Sequence, residues 1–228
     1  MLVSEFAADE TLRCARFRCH GRFAREALEP RPAPGGVLLD EPAFRVRAAL
    51  LDHDTPCLGF AVEEKTHVNV LKSRLHELGL EVGPWLSDLK REVLRGAPDD
   101  TRIRAQWRAD GESREHWCTL GELRAQALRL EAGGKLCYVT DVVYHADNER
   151  RIAALAADAD LLFIESVFLE EDAGHAARKF HLTARQAGRI ARAARARKVV
   201  QFHFSPRYMG REDELRAELE AARTADVR

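Results

Sequence analysis

The 228-residue chain has no apolar run near the roughly 20 residues that a membrane-crossing helix requires. Its first ten residues, MLVSEFAADE, lack the basic segment and the long apolar core of a secretory leader. Cysteine is sparse and odd in number: Cys14, Cys19, Cys57, Cys118 and Cys137 make no dense, paired framework. They read as reduced thiols in a cytoplasmic protein with no membrane partner. Cys14 and Cys19, with His20 adjacent, have a zinc-like gap, but no second pair follows. Charge of one sign is also lacking, with 36 basic and 37 acidic side chains. That balance excludes a bulk polycation that coats nucleic acid or membrane, and leaves room only for local patches. Lysine is scarce, 6 against 30 arginines. Arginine is the better bidentate phosphate ligand, although a GC-rich coding sequence produces the same bias. What remains is an ordinary globular composition, 46% hydrophobic and 32% charged, with enough residues for a sizeable core.

Three textures follow one another. From Met1 to about Lys65 the chain reads as strands: LRCARFRC alternates, GVLLD and FRVRAALLDH flank a turn-like Glu41-Pro42, and LGFAVEEK follows. From 66 to 134 the pattern is helical and charged. Val68, Leu71, Leu75 and Leu78 fall on one helical face, and Gly79 suits a C-terminal cap. Gly83-Pro84 breaks the chain, and WLSDLKREVLRG makes a second helix ending at Gly96. Pro98-Asp99-Asp100 and Asp110-Gly111 are turn signals in a weakly patterned stretch, which together suggest an insertion standing out from a core. From Lys135 onward strands and helices alternate: KLCYVTDV, a helix ERRIAALAADA that Asn148 can cap, the buried-type strand LLFIES, a helix 184–197 opened by a Thr183/Gln186 capping box, KVVQFHF, and DELRAELEAAR. The Ala/Arg-rich stretch at 189–197 reads as a solvated face. There is no internal repeat.

Four polar residues end predicted strands: His53, Asp141, Glu165 and His203; His181 stands just before the capped helix. Singly, each is more often a satisfied structural residue than a ligand. Together, two imidazoles and a carboxylate, remote in sequence and each at a strand end, suit zinc, and a carboxylate can bridge two ions. Two ions can clamp both the attacking and the leaving oxygen of a phosphodiester.

FHFSPRY, LLFIESVFLEED with HLTARQAG, YVTDV and LLDHDTPCLGFAVEEK resemble, in order and spacing, segments of the ribonuclease Z group of the metallo-β-lactamase superfamily. The resemblance runs from about Gly36 to Ala222 and is most specific in HFSPRY and HLTARQA. It implies an α/β fold, a metallo-β-lactamase-type αββα sandwich, as a single domain over 1–228 with 66–134 as an inserted helical arm. It implies two zinc ions held through His53, Asp141 and His203, with Asp141 touching both. It makes His181, oriented by Glu165, the acid that protonates the departing 3′ oxygen. The substrate implied is precursor tRNA, cut beyond its acceptor stem. Gly83 and Pro84 resemble the arm motif that grips tRNA; Lys90 and Arg91, with Lys72, Arg74 and Arg95, are candidate phosphate contacts. Members commonly pair, so a homodimer is a further expectation.

Two departures stand out. Ile164 takes the place of the histidine in the group's H-E-A-T motif. The leading signature H-x-H-x-D-H occurs nowhere in these residues, so the sandwich is expected to be N-terminally incomplete, with an apolar sheet face open and zinc held weakly. Two alternatives fit the same letters: a non-catalytic RNA-binding relic, and a hydrolase of the same fold acting on another phosphodiester or an ester.

Overall fold

The computed structural model describes residues 1–109 and 111–225. The chain divides into two compact units, Met1–Glu64 with Gly134–Arg228, and Lys65–Gly133.

The first unit opens with β1 (Leu2–Phe6), β2 (Thr11–Phe17), β3 (Arg25–Ala27) and β4 (Arg31–Pro32), a small antiparallel sheet centred on β2. Leu12, Cys14 and Ala33 form its core, so Cys14 is a packing residue. There follow β5 (Val37–Asp40), β6 (Phe44–His53) and β7 (Thr55–Glu64). Gly36 enters β5 at φ 73°, and a Cβ there would fall 2.0 Å from the Ala48 carbonyl oxygen, so only glycine fits.

The second unit contains β8 (His67–Val70), α1 (Lys72–Glu77), α2 (Trp85–Leu94), β9 (Arg102–Ala109), β10 (Glu112–Thr119), α3 (Leu120–Gln126) and β11 (Leu128–Glu131). Two expectations are corrected here. Val68 is on a strand, not on a helix: β8 pairs antiparallel with β11, and the helix begins only at Lys72. The stretch after Pro98 is also patterned, since β9 and β10 form a hairpin in which Ile103 and Ala105 point inward. Val68, Leu75, Trp85, Leu89, Ile103 and Leu123 are buried together, so this segment has a core of its own. The expected turn at Asp110-Gly111 falls partly on Asp110, outside the described residues.

The first unit resumes with β12 (Lys135–Val139), α4 (Ala146–Leu155), β13 (Leu161–Glu165), α5 (Ala173–Arg178), α6 (Ala184–Ala193), β14 (Lys198–Phe202) and α7 (Glu212–Thr224). Its main sheet has the order β14-β13-β12-β7-β6-β5, parallel from β12 to β14 and antiparallel elsewhere. Strand alternation sends Ala61, Cys137, Val139, Leu162 and Ile164 to one face, where they are buried against Ile152 and Leu155 of α4, Ala187 and Ile190 of α6, and Leu215 of α7. The α6–α7 contact is close: a Cβ on Gly188 would meet the Leu219 carbonyl oxygen at 2.3 Å. Thr183 and Gln186 form the expected capping box. The helix they open ends at Ala193; Ala191, Ala194 and Ala196 are buried, whereas Ala193 and the arginines face outward, so the expected solvated face is only one side of 189–197. The cap of α4 is His145, whose side chain accepts from the Asn148 N–H; Asn148 lies inside the first turn.

The opposite sheet face carries Phe60, Val62, Leu136 and Tyr138, each 37–42% exposed, with Phe202 stacked on Tyr138 at 5.2 Å. No described element covers them. None of the described helices is long and apolar enough to cross a membrane.

The two faces predict opposite sensitivities. Leu162→Ala, at 0% exposure, should cost about 2–5 kcal/mol, whereas Tyr138→Thr should cost under about 1 kcal/mol. Urea unfolding of both variants checks this; equal losses would show that the aromatic face is packed.

Candidate metal centre

The strand ends of the main sheet converge on one cluster. His53 closes β6, Asp141 follows β12, Glu165 closes β13, and His203 follows β14. His181 arrives on the segment between α5 and α6. Apolar strands hold their own ends in place because their inner faces are fully packed, so polar residues there are presented on a stiff frame.

Glu165 organises the cluster. Its carboxylate is 0% exposed. Oε1 accepts the backbone N–H of Leu182 at 2.9 Å and of Val142 at 3.2 Å. Oε2 accepts from His181 Nδ1 at 2.9 Å and from His203 Nδ1 at 3.2 Å. His203 Nδ1 also lies 2.9 Å from Asp141 Oδ1, which receives the Thr140 hydroxyl at 3.0 Å. One donor atom each from Asp141, Glu165, His181 and His203 fall within 4.8 Å of one another. His53 stands at the margin of this group, its Nε2 3.9 Å from Asp141 Oδ2 and its ring centroid 4.9 Å from that of His181. His53 Nδ1 donates to the Phe180 carbonyl at 2.8 Å, which leaves Nε2 as the nitrogen with a free lone pair, facing Asp141.

The set fits a zinc-type ion. Imidazole nitrogens and a partly exposed carboxylate are suitable ligands, and Asp141 presents Oδ2 without a hydrogen-bond donor on it among the described residues. Glu165 is a weaker candidate, because each of its oxygens already serves two N–H donors. Three of the eight described non-glycine residues with positive φ lie here. Asp54, Phe180 and His203 adopt φ of 61°, 60° and 62°, a region that costs non-glycine residues about 1–3 kcal/mol each.

The hydrogen bond to Glu165 raises the His203 pKa above its ordinary value, partial burial opposes it, and the Asp141 charge adds to the rise. Burial pushes the Cys57 thiol up to about 11, so it stays protonated and donates to the Asp141 carbonyl at 3.2 Å rather than competing as a ligand. Cys14, Cys19 and His20 form no such group among the described residues.

All five residues expected at the centre, His53, Asp141, Glu165, His181 and His203, are thus brought together. Ile164 points to the helix side of β13 at 0% exposure, away from the cluster, so the departure there is a packing choice. Sequence reasoning missed Asn148 and the Phe180 carbonyl, both reached only through tertiary contacts. The expected substrate contacts lie in the second unit. Gly83 has no room for a Cβ, which would sit 2.5 Å from the Gln106 carbonyl oxygen. With Pro84 it borders a cleft of about 700 Å³ also lined by Trp85, Arg104 and Arg108. Lys72 and Lys90 are exposed. Arg74, Arg91 and Arg95 each pair with an acid three residues away, Glu77, Asp88 and Glu92.

Residues 111–204 match the model of a beta-lactamase superfamily domain. The ribonuclease Z of Deinococcus radiodurans is 35% identical over 214 residues, 94% of this chain and 60% of that protein. That of Thermobifida fusca is 36% identical over 199 residues, 86% of this chain and 55% of that protein. Among solved structures, human tRNase Z, short form, aligns at a TM-score of 0.42 with 21% identity, over 76% of this chain and 41% of its own. The metallo-β-lactamase fold protein YhfI of Bacillus subtilis aligns at 0.44 with 16% identity, over 83% and 48%. The matched domain model and the two ribonuclease Z relatives give the chain a fold of the metallo-β-lactamase type, with four side chains of metal-ligating chemistry grouped at its strand ends. Within that superfamily the chain belongs to the ribonuclease Z group, and it spans about three-fifths or less of the length of these two relatives.

In the metal-free chain, Glu165→Gln should lower the His203 pKa toward 6.5, because the main contact raising it loses its charge. An NMR titration of the imidazole reads this. A raised folded-state pKa adds stability that is complete below the unfolded value and is lost as pH rises through the folded one. Thermal unfolding of the metal-free chain should therefore show stability from this group falling as pH climbs above about 6.5, and less so in the variant.

Proposed function

We propose that this chain carries the metal-holding and proton-handling residues of a zinc-dependent phosphodiesterase that processes the 3′ end of precursor tRNA. The observation behind the reading is the convergence of Asp141, His203, His181 and Glu165 within 4.8 Å, with His53 beside them. Asp141, His53 and His203 are the proposed ligands. When bound there, zinc supplies Lewis-acid polarisation of a phosphoryl oxygen and makes water acidic enough to react at neutral pH.

The chain's own residues do the rest. Glu165 fixes the His181 ring through Nδ1, which leaves Nε2 as the free end of the imidazole. From there a protonated His181 gives its proton to the departing 3′ oxygen, a general-acid role. His181 is 17% exposed in its side chain, open enough to reach a substrate and shielded enough to hold one orientation. The cleft beside Gly83 and Pro84, with Arg104 and Arg108, and the exposed Lys90 with Arg91 are the proposed phosphate contacts.

The donor count sets the strength of the site. Three ligands shared by two ions leave each below the three or four protein ligands of ordinary zinc sites. These 228 residues by themselves should hold zinc weakly and cleave RNA poorly. A homodimer accompanies the reading as an expectation of the resemblance, and a cytoplasmic setting as the expectation drawn from the sparse, unpaired cysteines.

Elemental analysis after gel filtration should find fewer than two zinc ions per chain, and Asp141→Asn should remove what is bound. Two tightly held ions per chain would overturn the weak-site reading. In any preparation that cleaves precursor tRNA, His181→Ala should slow turnover about 10²–10⁴-fold with little change in zinc content. Cleavage of a generic phosphodiester or ester without cleavage of precursor tRNA would instead support the alternative substrate class. RNA binding should weaken with added salt, and Lys90→Ala with Arg108→Ala should lower that salt slope by about 1–2.

A further inference from the structure

We infer that Asn148 is a positioning residue for the metal centre: it clamps the strand end that carries His53 to the segment that carries Asp141. The inference rests on the metal-site reading above and adds a residue that touches neither metal nor substrate.

The need for a clamp comes from the sheet order. β6, which ends in His53, and β12, which leads to Asp141, are not neighbours, because β7 runs between them. No ladder hydrogen bond therefore joins these two strands directly, and β7, paired to both, relates them only through itself. Asn148, in the first turn of α4, spans the gap. Its Oδ1 accepts the Asp52 N–H at 3.1 Å, and its Nδ2 donates to the Asp52 carbonyl at 2.9 Å and to the Val143 carbonyl at 2.8 Å. Asp52 immediately precedes His53, and Val143 lies two residues after Asp141. The Val143 N–H donates to the same Asp52 carbonyl at 2.9 Å.

Asn148 is 1% exposed, and three of its four side-chain hydrogen-bonding positions are used on these two segments. Its own N–H is engaged by His145 Nδ1 at 3.2 Å, and His145 Nε2 lies 3.4 Å from Asp52 Oδ2. The same turn of helix thus grips Asp52 through its backbone and its side chain. A planar amide is the one uncharged group that accepts from an N–H and donates to two carbonyls at once in this geometry. Groups that orient metal ligands typically change metal affinity 10–100-fold when removed.

The test measures zinc affinity of the metal-free chain by competition with a chromophoric chelator, using zinc alone. Asn148→Ala is compared with Ile152→Ala, which removes a 0% exposed core contact one turn along the same helix and leaves the clamp intact. At matched loss of Tm, Asn148→Ala should weaken zinc binding at least tenfold and Ile152→Ala less than threefold. Asn148→Asp keeps the volume and the acceptor for the Asp52 N–H; it should lose at least fivefold and decides the matter if the alanine variant does not fold. A folded Asn148 variant within twofold of the parent chain, or an equal loss in Ile152→Ala, overturns the inference. A parent chain that binds no zinc fails the functional reading instead. The clamp is then read by hydrogen exchange of the Asp52 amide in the metal-free state, which should speed up more in Asn148→Ala than in Ile152→Ala; equal rates would overturn it.

Discussion

A single buried carboxylate holds the centre together. Removing Glu165 from water costs several kcal/mol unless its oxygens are fully engaged, and four N–H donors meet that demand. Those donors come from the segment after β12, the approach to α6, and the residue after β14. The carboxylate at the end of β13 is thus the point where three separate segments must agree in position. Its requirement for partners fixes the rings of His181 and His203, and through His203 it fixes Asp141 as well. The chemistry proposed for His181 depends on this arrangement, because an imidazole without an oriented Nδ1 would not present Nε2 in one direction.

Much of this was legible in the chain because strand ends have a local signature, a run of apolar residues stopped by one polar side chain. His53, Asp141, Glu165 and His203 all follow that rule. The Thr183/Gln186 capping box is equally local, a contact over three residues. What escaped is what depends on partners far along the sequence. Val68 has apolar spacing that suits a helix, yet it lies on β8 because β11, about 60 residues later, supplies the ladder. Asn148 reads as a cap by residue type, but its amide is drawn to Asp52, 96 residues away, and His145 takes the capping role. The β9–β10 hairpin was legible in half: RIRAQWRA of β9 alternates polar and apolar residues, as a strand buried on one side should, but its partner β10 is largely exposed and charged and carries no such pattern.

Strain marks the same spots. Phe180 is held in the left-handed region where its carbonyl receives His53 Nδ1, and His203 is held there where its ring nitrogen reaches two carboxylates. Phenylalanine rarely adopts that conformation and histidine somewhat more often, and each costs on the order of 1–3 kcal/mol. Such residues persist only where their surroundings over-determine them. Here the hydrogen bonds that do so are those that aim the imidazoles.

The two faces of the main sheet contribute unequally to the centre. Every side chain that stiffens the strand ends from below, Cys137, Val139, Leu162 and Ile164 among them, is on the helix-covered face. The aromatic face with Phe60, Tyr138 and Phe202 adds little packing where it is open. The geometry of the four-residue donor group therefore follows from α4, α6, α7 and the strands they cover, whatever lies over the other face. Ile164 illustrates the division: an imidazole there would be driven into the apolar layer, whereas its neighbour Glu165 ends the strand among N–H donors. Metal strength is a separate matter. It depends on how many donors meet the ion, so a well-formed donor group and a weakly held metal are compatible in the same chain.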